Sequence, residues 1–380
     1  MCYKNNFDTE PVETNYKDSI DISRTRRCDK SKNSISPQDA INRFLDHKEQ
    51  EIRSQTVSEY RRKLEYFKDF CSQKEIDNLN NLDGRLLSDY YHYRRNKSAH
   101  EPLSVKTMKD DMYLIRDFIT FLKKIEAVAP DLPQKVQIPK IKQDEAVRDV
   151  KISSDRIEDI LDYLETYEYA THNHVIWLFY THTGRRPGGL YALDLGNLYL
   201  DREKPYIRFQ HHPNETELKN GWKGETEIHI AKEVAAVFQD YIEQHRESVV
   251  TENGRTPFLT TSHGRMSRST MRRSVYRFSR PCIINGQCPH NREQSACEAK
   301  TCNDSASKCP SSKPPYALRH GYITAKLREG VPVKILGGRC DVSEEVIEKH
   351  YDERNMQEKR ELRQQIFQEV QEEQDSQGYL

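Results

Sequence analysis

Two arginines and a tyrosine carry the most specific chemistry in this 380-residue chain. Arg319 opens a stretch in which Leu318, Tyr322, Ala325 and Leu327 recur at helical spacing, ending at Gly330 before Pro332. Tyr351 closes a second stretch, Ser343 to His350, that reads as another helix, and Gly337-Gly338 between the two reads as a turn. Folding back at that turn would set a cation beside a phenol. A forked guanidinium neutralises phosphate oxygens in fixed geometry and a phenolate is a nucleophile toward phosphorus, so the pair suits attack on a phosphodiester. Taken singly, each residue has a plainer reading, as a surface arginine and an amphipathic anchor.

The second arginine gives the pattern its meaning. Thr183-Gly184-Arg185-Arg186 follows the apolar helix HVIWLFYTHTG and precedes Leu190 and Leu193. A Thr-Gly turn with an arginine, then a late arginine and a later tyrosine, resembles the tyrosine recombinase (phage integrase) family over roughly residues 36–370. The wording LRHGYIT…VSEEVIEKHYD is similar to integrases of archaea and their viruses.

The resemblance implies a site-specific DNA recombinase that cleaves and rejoins DNA through a 3′-phosphotyrosyl link. In it Arg186 and Arg319 would clamp the phosphate and Tyr351 would attack; Tyr322, the nearest competing phenol, matches a packing aromatic. Lys219, in TELKNG after the strand YIRFQ, would protonate the leaving 5′-oxygen, with Lys223 second in line. Catalysis would need no cofactor, the partner would be double-stranded DNA, and the working form would be a homo-oligomer, a tetramer on paired sites. Three departures stand out. Tyr316 occupies a position where the family usually has His, and a phenol titrates near about 10 rather than about 6.5, a poor base at neutral pH. Gly338-Arg339 stands where the family has Leu-Gly-His, so Arg339 becomes a candidate third donor to the phosphate. Gly189 stands three residues after Arg186, where an acid commonly braces the arginine. Two further readings therefore stay open, a catalytically inactive recombinase fold that binds DNA and a type IB topoisomerase-like enzyme.

These residues need a scaffold, and its expected class is mainly α with a small β-sheet: a helical core-binding domain followed by an α+β catalytic domain. Residues 1–35 are polar and aperiodic, a flexible leader whose Arg24, Arg26 and Arg27 could touch DNA. Residues 36–128 read as four amphipathic helices, the first capped by Ser36 with Pro37 at its first position and the fourth capped by Ser104. Their basic residues Arg61, Arg62, Lys63, Arg94, Arg95, Lys106 and Lys109 are interleaved with tyrosines. Such runs are ordinarily a solvated face; the resemblance makes them phosphate contacts of a DNA clamp. Residues 129–150 read as an extended linker, 151–355 as the catalytic domain with a short sheet between Leu198 and Ile230, and 356–380 as a C-terminal helix and tail. That helix keeps a stripe of Leu362, Ile366, Phe367 and Val370, to be buried on its own domain or on a neighbouring protomer.

Composition bounds the rest. Lys plus Arg and Asp plus Glu both number 60, so DNA affinity must come from uneven placement of charge. No run approaches a membrane span and the first residues lack a basic-then-apolar signal, which points to a cytoplasmic protein. Nine cysteines in such a compartment argue against structural disulfides. Cys282, Cys288, His290, Cys297, Cys302 and Cys309 crowd into residues 282–309, a stretch without period. Four of these could hold a structural zinc, and the resemblance to archaeal integrases tilts the choice to Cys282, Cys288, Cys297 and Cys309, with His290 and Cys302 in reserve. Reduced thiols in a loop are the alternative.

Overall fold

The computed structural model describes residues 34–97, 102–141, 151–213 and 215–376. The chain divides into two compact units, Met1–Arg148 and Asp149–Leu380. The leader therefore lies outside the described residues except at its end, where Ile35 is buried and its backbone N–H donates to Asn78 Oδ1 at 3.4 Å.

The first unit packs helices α1 (Pro37–Glu49), α2 (Ser54–Gln73), α3 (Gly84–Asn96) and α4 (Val105–Lys124). Local chemistry sets their starts: Ser36 Oγ accepts from the Asp39 N–H at 3.1 Å, Asp83 from Leu86 at 2.9 Å and Ser104 from Thr107 at 3.2 Å. Each helix turns one apolar stripe inward, and Phe44 meets Phe118 edge-on at 5.4 Å while Phe67 meets Tyr90 at 5.1 Å. The expected linker begins later than the prolines suggest. Leu132 and Val136 are buried in this core, around a 3₁₀ turn at Leu132–Lys135, because the stretch carries apolar side chains the bundle can cover.

The second unit is built around α6 (His172–Thr183), which follows α5 (Ser154–Tyr167). Val175, Ile176, Trp177, Phe179 and Tyr180 are all buried, so this helix is covered on every side and forms the centre of the core. After α7 (Pro187–Ala192) come β1 (Leu198–Tyr199), β2 (Tyr206–Phe209) and β3 (Thr226–His229), an antiparallel sheet in that order. Ile207 pairs with Ile228 and Phe209 with Thr226, and the alternation turns Ile207, Phe209 and Ile228 inward. Helix α8 (Lys232–Gln244), a hairpin of β4 (Thr260–Thr261) and β5 (Gly264–Arg265), and α9 (Arg268–Phe278) follow.

The cysteine-rich stretch is not structureless. It forms α10 (Pro281–Ile284), α11 (Glu298–Thr301) and a 3₁₀ helix at Asn303–Lys308. Arginines hold it down: Arg280 donates to the Ala299 carbonyl, Arg156 to the carbonyls of Ser279 and Ser311, and Arg273 pairs with Asp304 at 2.5 Å.

The chain ends in α12 (Pro315–Arg328), α13 (Val333–Cys340), α14 (Glu344–His350) and α15 (Met356–Ser376). Gly337-Gly338 belongs to α13 and is no turn. A Cβ on Gly337 would lie 2.9 Å from the Val342 carbonyl, so the glycine serves a close approach, and the reversal falls at Asp341, whose φ is +56°. On α15 Leu362 is half-buried near Gly330, whereas Ile366, Phe367 and Val370 are exposed. Among the described residues no helix is long and apolar enough to cross a membrane.

Candidate active site

The first arginine pair leaves the end of α6 through Gly184, whose φ is +61°. A Cβ there would lie 2.3 Å from the Tyr322 ring and 2.9 Å from Cys340 Sγ, so glycine is required both for the turn and for the packing. Thr183 Oγ1 donates to the Phe179 carbonyl at 2.6 Å and accepts from the Arg185 N–H at 3.2 Å, fixing the exit. The two arginines then part. Arg185 is buried over the Phe209 ring at 4.2 Å and donates to the Gly224 carbonyl at 2.8 Å and the Arg339 carbonyl at 3.3 Å. Burial brings its pKa down to about 10, which still leaves it charged at neutral pH. Arg186 precedes α7 with its side chain 32 % exposed, and its Nη1 donates to Asp341 Oδ2 at 2.9 Å and to the Asp341 carbonyl.

Arg319 is buried on α12 and comes to the same place. Its Nη1 donates to the Gly184 carbonyl at 2.8 Å and the Cys340 carbonyl at 2.5 Å, while Nε and Nη2 are buried without an acceptor among the described residues. Burial and the charge of Arg319 together lower the Arg186 pKa. Buried donors without partners are costly unless an anion meets them, by roughly 1–3 kcal/mol each.

Tyr351 ends α14 and is buried at 4 % exposure. Helix α12 holds it from behind: Thr324 Oγ1 donates to the Tyr351 carbonyl at 3.1 Å, and His320 Nε2 lies 3.1 Å from the His350 carbonyl. The His320 ring is 5.1 Å from the Tyr351 ring and the Tyr316 ring 6.2 Å from it. Desolvation first and the neighbouring Tyr351 hydroxyl second raise the Tyr316 pKa above the ordinary phenol value. Tyr316 therefore stays protonated at neutral pH, able to orient the neighbouring oxygen and unable to take its proton. Arg186, Arg319, Tyr316 and Tyr351 are thus brought together, close enough for the arginine charges to act on both phenols.

Lys219 is exposed in the turn between β2 and β3, and so is Lys223. The next residue, Asn220, donates to Asp341 Oδ1 at 2.7 Å, so the lysine turn meets the carboxylate that holds Arg186. Arg339 turns elsewhere. Its Nε donates to the Tyr322 hydroxyl at 2.6 Å and its Nη2 to the carbonyls of His229 at 2.9 Å and His182 at 3.0 Å, which ties α13 to α12, α6 and the sheet. The expected third phosphate donor is occupied in the fold, and the competing phenol of Tyr322 is its partner.

In the first unit the basic residues divide. Arg94 is buried, pairs with Asp111 at 2.8 Å and lies over the Tyr66 ring at 3.9 Å, and Lys63 pairs with the same carboxylate at 3.0 Å. These two serve the bundle, a correction to the expected phosphate contacts that follows from their shared Asp111 partner and, for Arg94, from burial. Arg62 is held by Glu59 at 2.7 Å and Arg61 lies 3.9 Å from Glu49, both on the surface. Arg95 and Lys106 are exposed, and Lys109 lies 6.0 Å from the Tyr113 ring. Among the described residues no three His, Cys, Asp or Glu side chains gather as a metal site; of the four expected zinc ligands, Cys282, Cys297 and Cys309 lie near enough to Arg280 to act on its charge, and Cys288 acts on Cys282.

Sequence reasoning missed Asp341, Asn220, His320, Thr324 and the inward role of Arg185. Only Asp341 carried a signal, since Asp is among the few residues that tolerate a left-handed backbone at a helix end.

Residues 41–125 match the family model described as "Phage integrase, N-terminal SAM-like domain". No curated protein matches the chain. Among solved structures, the Tn1549 transposon integrase in complex with transposon right end DNA matches at 15 % identity with a TM-score of 0.60, covering 86 % of this chain and 98 % of that one. XerH recombinase bound to its difH substrate matches at 13 % with a TM-score of 0.56, covering 86 % and 84 %. A lambda integrase dimer bound to a COC′ core site matches at 11 % with a TM-score of 0.54, covering 87 % and 78 %. The fold is that of the tyrosine recombinases, a helical N-terminal domain followed by the catalytic domain.

Proposed function

We propose that this chain is a site-specific DNA recombinase of the tyrosine class, similar in its late segment to integrases of archaea and their viruses, acting on double-stranded DNA in the cytoplasm. The observation that carries the reading is the Arg319 guanidinium beside Arg186: buried and, among the described residues, in no ion pair with a carboxylate and with two donors free of acceptors. Arg185 and Arg186 each feel the Asp341 carboxylate on one side and the charge of Arg319 on the other. Such a site has positive charge to spare and suits a phosphodiester.

In this reading Arg186 and Arg319 bind the nonbridging oxygens and stabilise the negative charge that grows on them. Tyr351 gives its phenolic proton up to water and its oxygen attacks phosphorus in line as the phosphorus–5′-oxygen bond breaks, and Lys219 gives the leaving oxygen its proton. Tyr316 donates to the nucleophile oxygen and orients it. The new 3′-phosphotyrosyl diester keeps the bond energy, so a 5′-hydroxyl can reverse the step and rejoin a strand without ATP. Catalysis needs no cofactor. Strand exchange needs several copies on paired sites, for which a tetramer is the expected form, and the exposed Ile366, Phe367 and Val370 of α15 offer a face for a neighbouring protomer.

A nicked suicide substrate tests the reading. Wild-type protein should form a covalent protein–DNA adduct, and Tyr351→Phe should form none while binding DNA as before, because only the nucleophilic oxygen is lost. Adduct formation by Tyr351→Phe would move the nucleophile elsewhere. A strand-joining assay separates recombination from simple relaxation of supercoils.

A further inference from the structure

We propose that Asp341 is the positioning residue of this site, aiming Arg186 and holding the Lys219 turn against it; this rests on the reading of the site as one that cleaves DNA. The carboxylate is used at both oxygens. Oδ2 accepts from Arg186 Nη1 at 2.9 Å and Oδ1 from Asn220 at 2.7 Å, and the Asp341 side chain is 9 % exposed. The catalytic-turn arginine and the lysine turn, far apart in sequence, therefore meet on one group. The hairpin is close as well: a Cβ on Gly224 would lie 3.4 Å from the same carboxylate, and the Gly224 carbonyl accepts from Arg185.

Two features indicate that the side chain is there for its charge. Asp341 sits at φ +56°, a left-handed conformation in which glycine is easier, yet an acid fills it. No brace can come from the first turn of α7. Gly189 lies there, and even a Cβ would be 3.3 Å from the Phe209 ring and 3.6 Å from Arg185 Cβ. Without Asp341, Arg186 would be a long, partly exposed side chain free to explore rotamers, and the phosphate would have to order it.

The experiment is single-turnover cleavage of a nicked suicide substrate by the full chain, with DNA affinity and thermal midpoint measured alongside. Asp341→Asn and Asp341→Gly both tolerate the left-handed backbone, so the fold should persist. Either should slow cleavage by about 10- to 100-fold, the effect of losing a charge-assisted hydrogen bond, with DNA affinity nearly unchanged. In an Arg186→Ala background Asp341→Asn, whose amide oxygen can still accept from Asn220, should cost little further, because the charge it removes has lost its target. Asn220→Ala should slow cleavage of an ordinary phosphodiester but not of a 5′-bridging phosphorothiolate, whose thiolate leaves without a proton. Wild-type rates in Asp341→Asn, or an equal further loss in the Arg186→Ala background, would overturn the proposal. Failure of wild-type protein to cleave at all would remove the reading of the site, and this inference with it.

Discussion

Lys63, Arg94 and Asp111 in the first unit and Arg186, Arg319 and Asp341 in the second are built from nearly the same parts, two cations and one acid. They do opposite work. Arg94 meets a buried carboxylate at 2.8 Å and spreads its face over Tyr66, so its charge is answered inside the bundle. Among the described residues Arg319 donates to backbone carbonyls alone, and the Asp341 carboxylate is already held by Arg186 and Asn220. Arg94 has its charge met by a carboxylate and belongs to the fold; Arg319 keeps two buried donors without an acceptor among the described residues, which leaves room for an anion. The contrast lies in the partners and not in the residue types.

The largest effect should come from removing the unanswered charge. Arg319→Ala is expected to lower the single-turnover cleavage rate by about 10³-fold, the scale of losing a preorganised donor at a developing anion. Near-normal cleavage would make Arg319 a structural cation like Arg94 and erase the comparison.

Arg94→Met tests the other side. It strands Asp111 in the interior with only Lys63, and should destabilise the first unit by about 3–5 kcal/mol, with Arg94→Met/Asp111→Leu recovering much of the loss. Chemical unfolding followed by circular dichroism measures it. A stable Arg94→Met protein with weakened DNA binding would return Arg94 to the phosphate contacts.

Exposed cations should behave differently from both. Arg95→Ala and Lys106→Ala should leave stability alone, weaken DNA binding modestly and reduce the slope of log affinity against log salt by about one each. A salt titration of binding decides this, and an unchanged slope would place the DNA on another face.

The smallest effect is expected from metal removal. With no three metal-ligating side chains gathered among the described residues and the segment held by Arg156, Arg273 and Arg280, a chelator should leave its hydrogen exchange unchanged. One zinc per chain, with loosening on chelation, would show that the insert closes on a metal after all.

What could be read from the sequence was what neighbours in sequence decide. Ser36-Pro37 and Ser104 announce helix starts because a cap bonds an N–H three residues on. The apolar periods placed the four-helix bundle, and YIRFQ and EIHIA alternate as strands do. Arg186, Arg319 and Tyr351 were singled out through a resemblance in order and context. What was not legible depends on distant partners. Arg94 looks like any basic residue until Asp111, on another helix, is seen to bury it. Gly337-Gly338 looks like a turn because the approach of Val342 that requires Gly337 leaves no local mark. The link from Asp341 to Arg186 spans 155 residues, beyond any periodicity or motif.

The grip of α12 on the end of α14 has one more consequence. Arg319 and the two residues that hold the Tyr351 backbone, His320 and Thr324, lie on one short helix, and Arg319 also binds the carbonyl of Gly184 beside Arg186. The phenol and its arginines are therefore the property of a single chain, spaced by one rigid element. On the proposed reading each copy carries its own phenol and arginines, so association would govern when they are used rather than supply them.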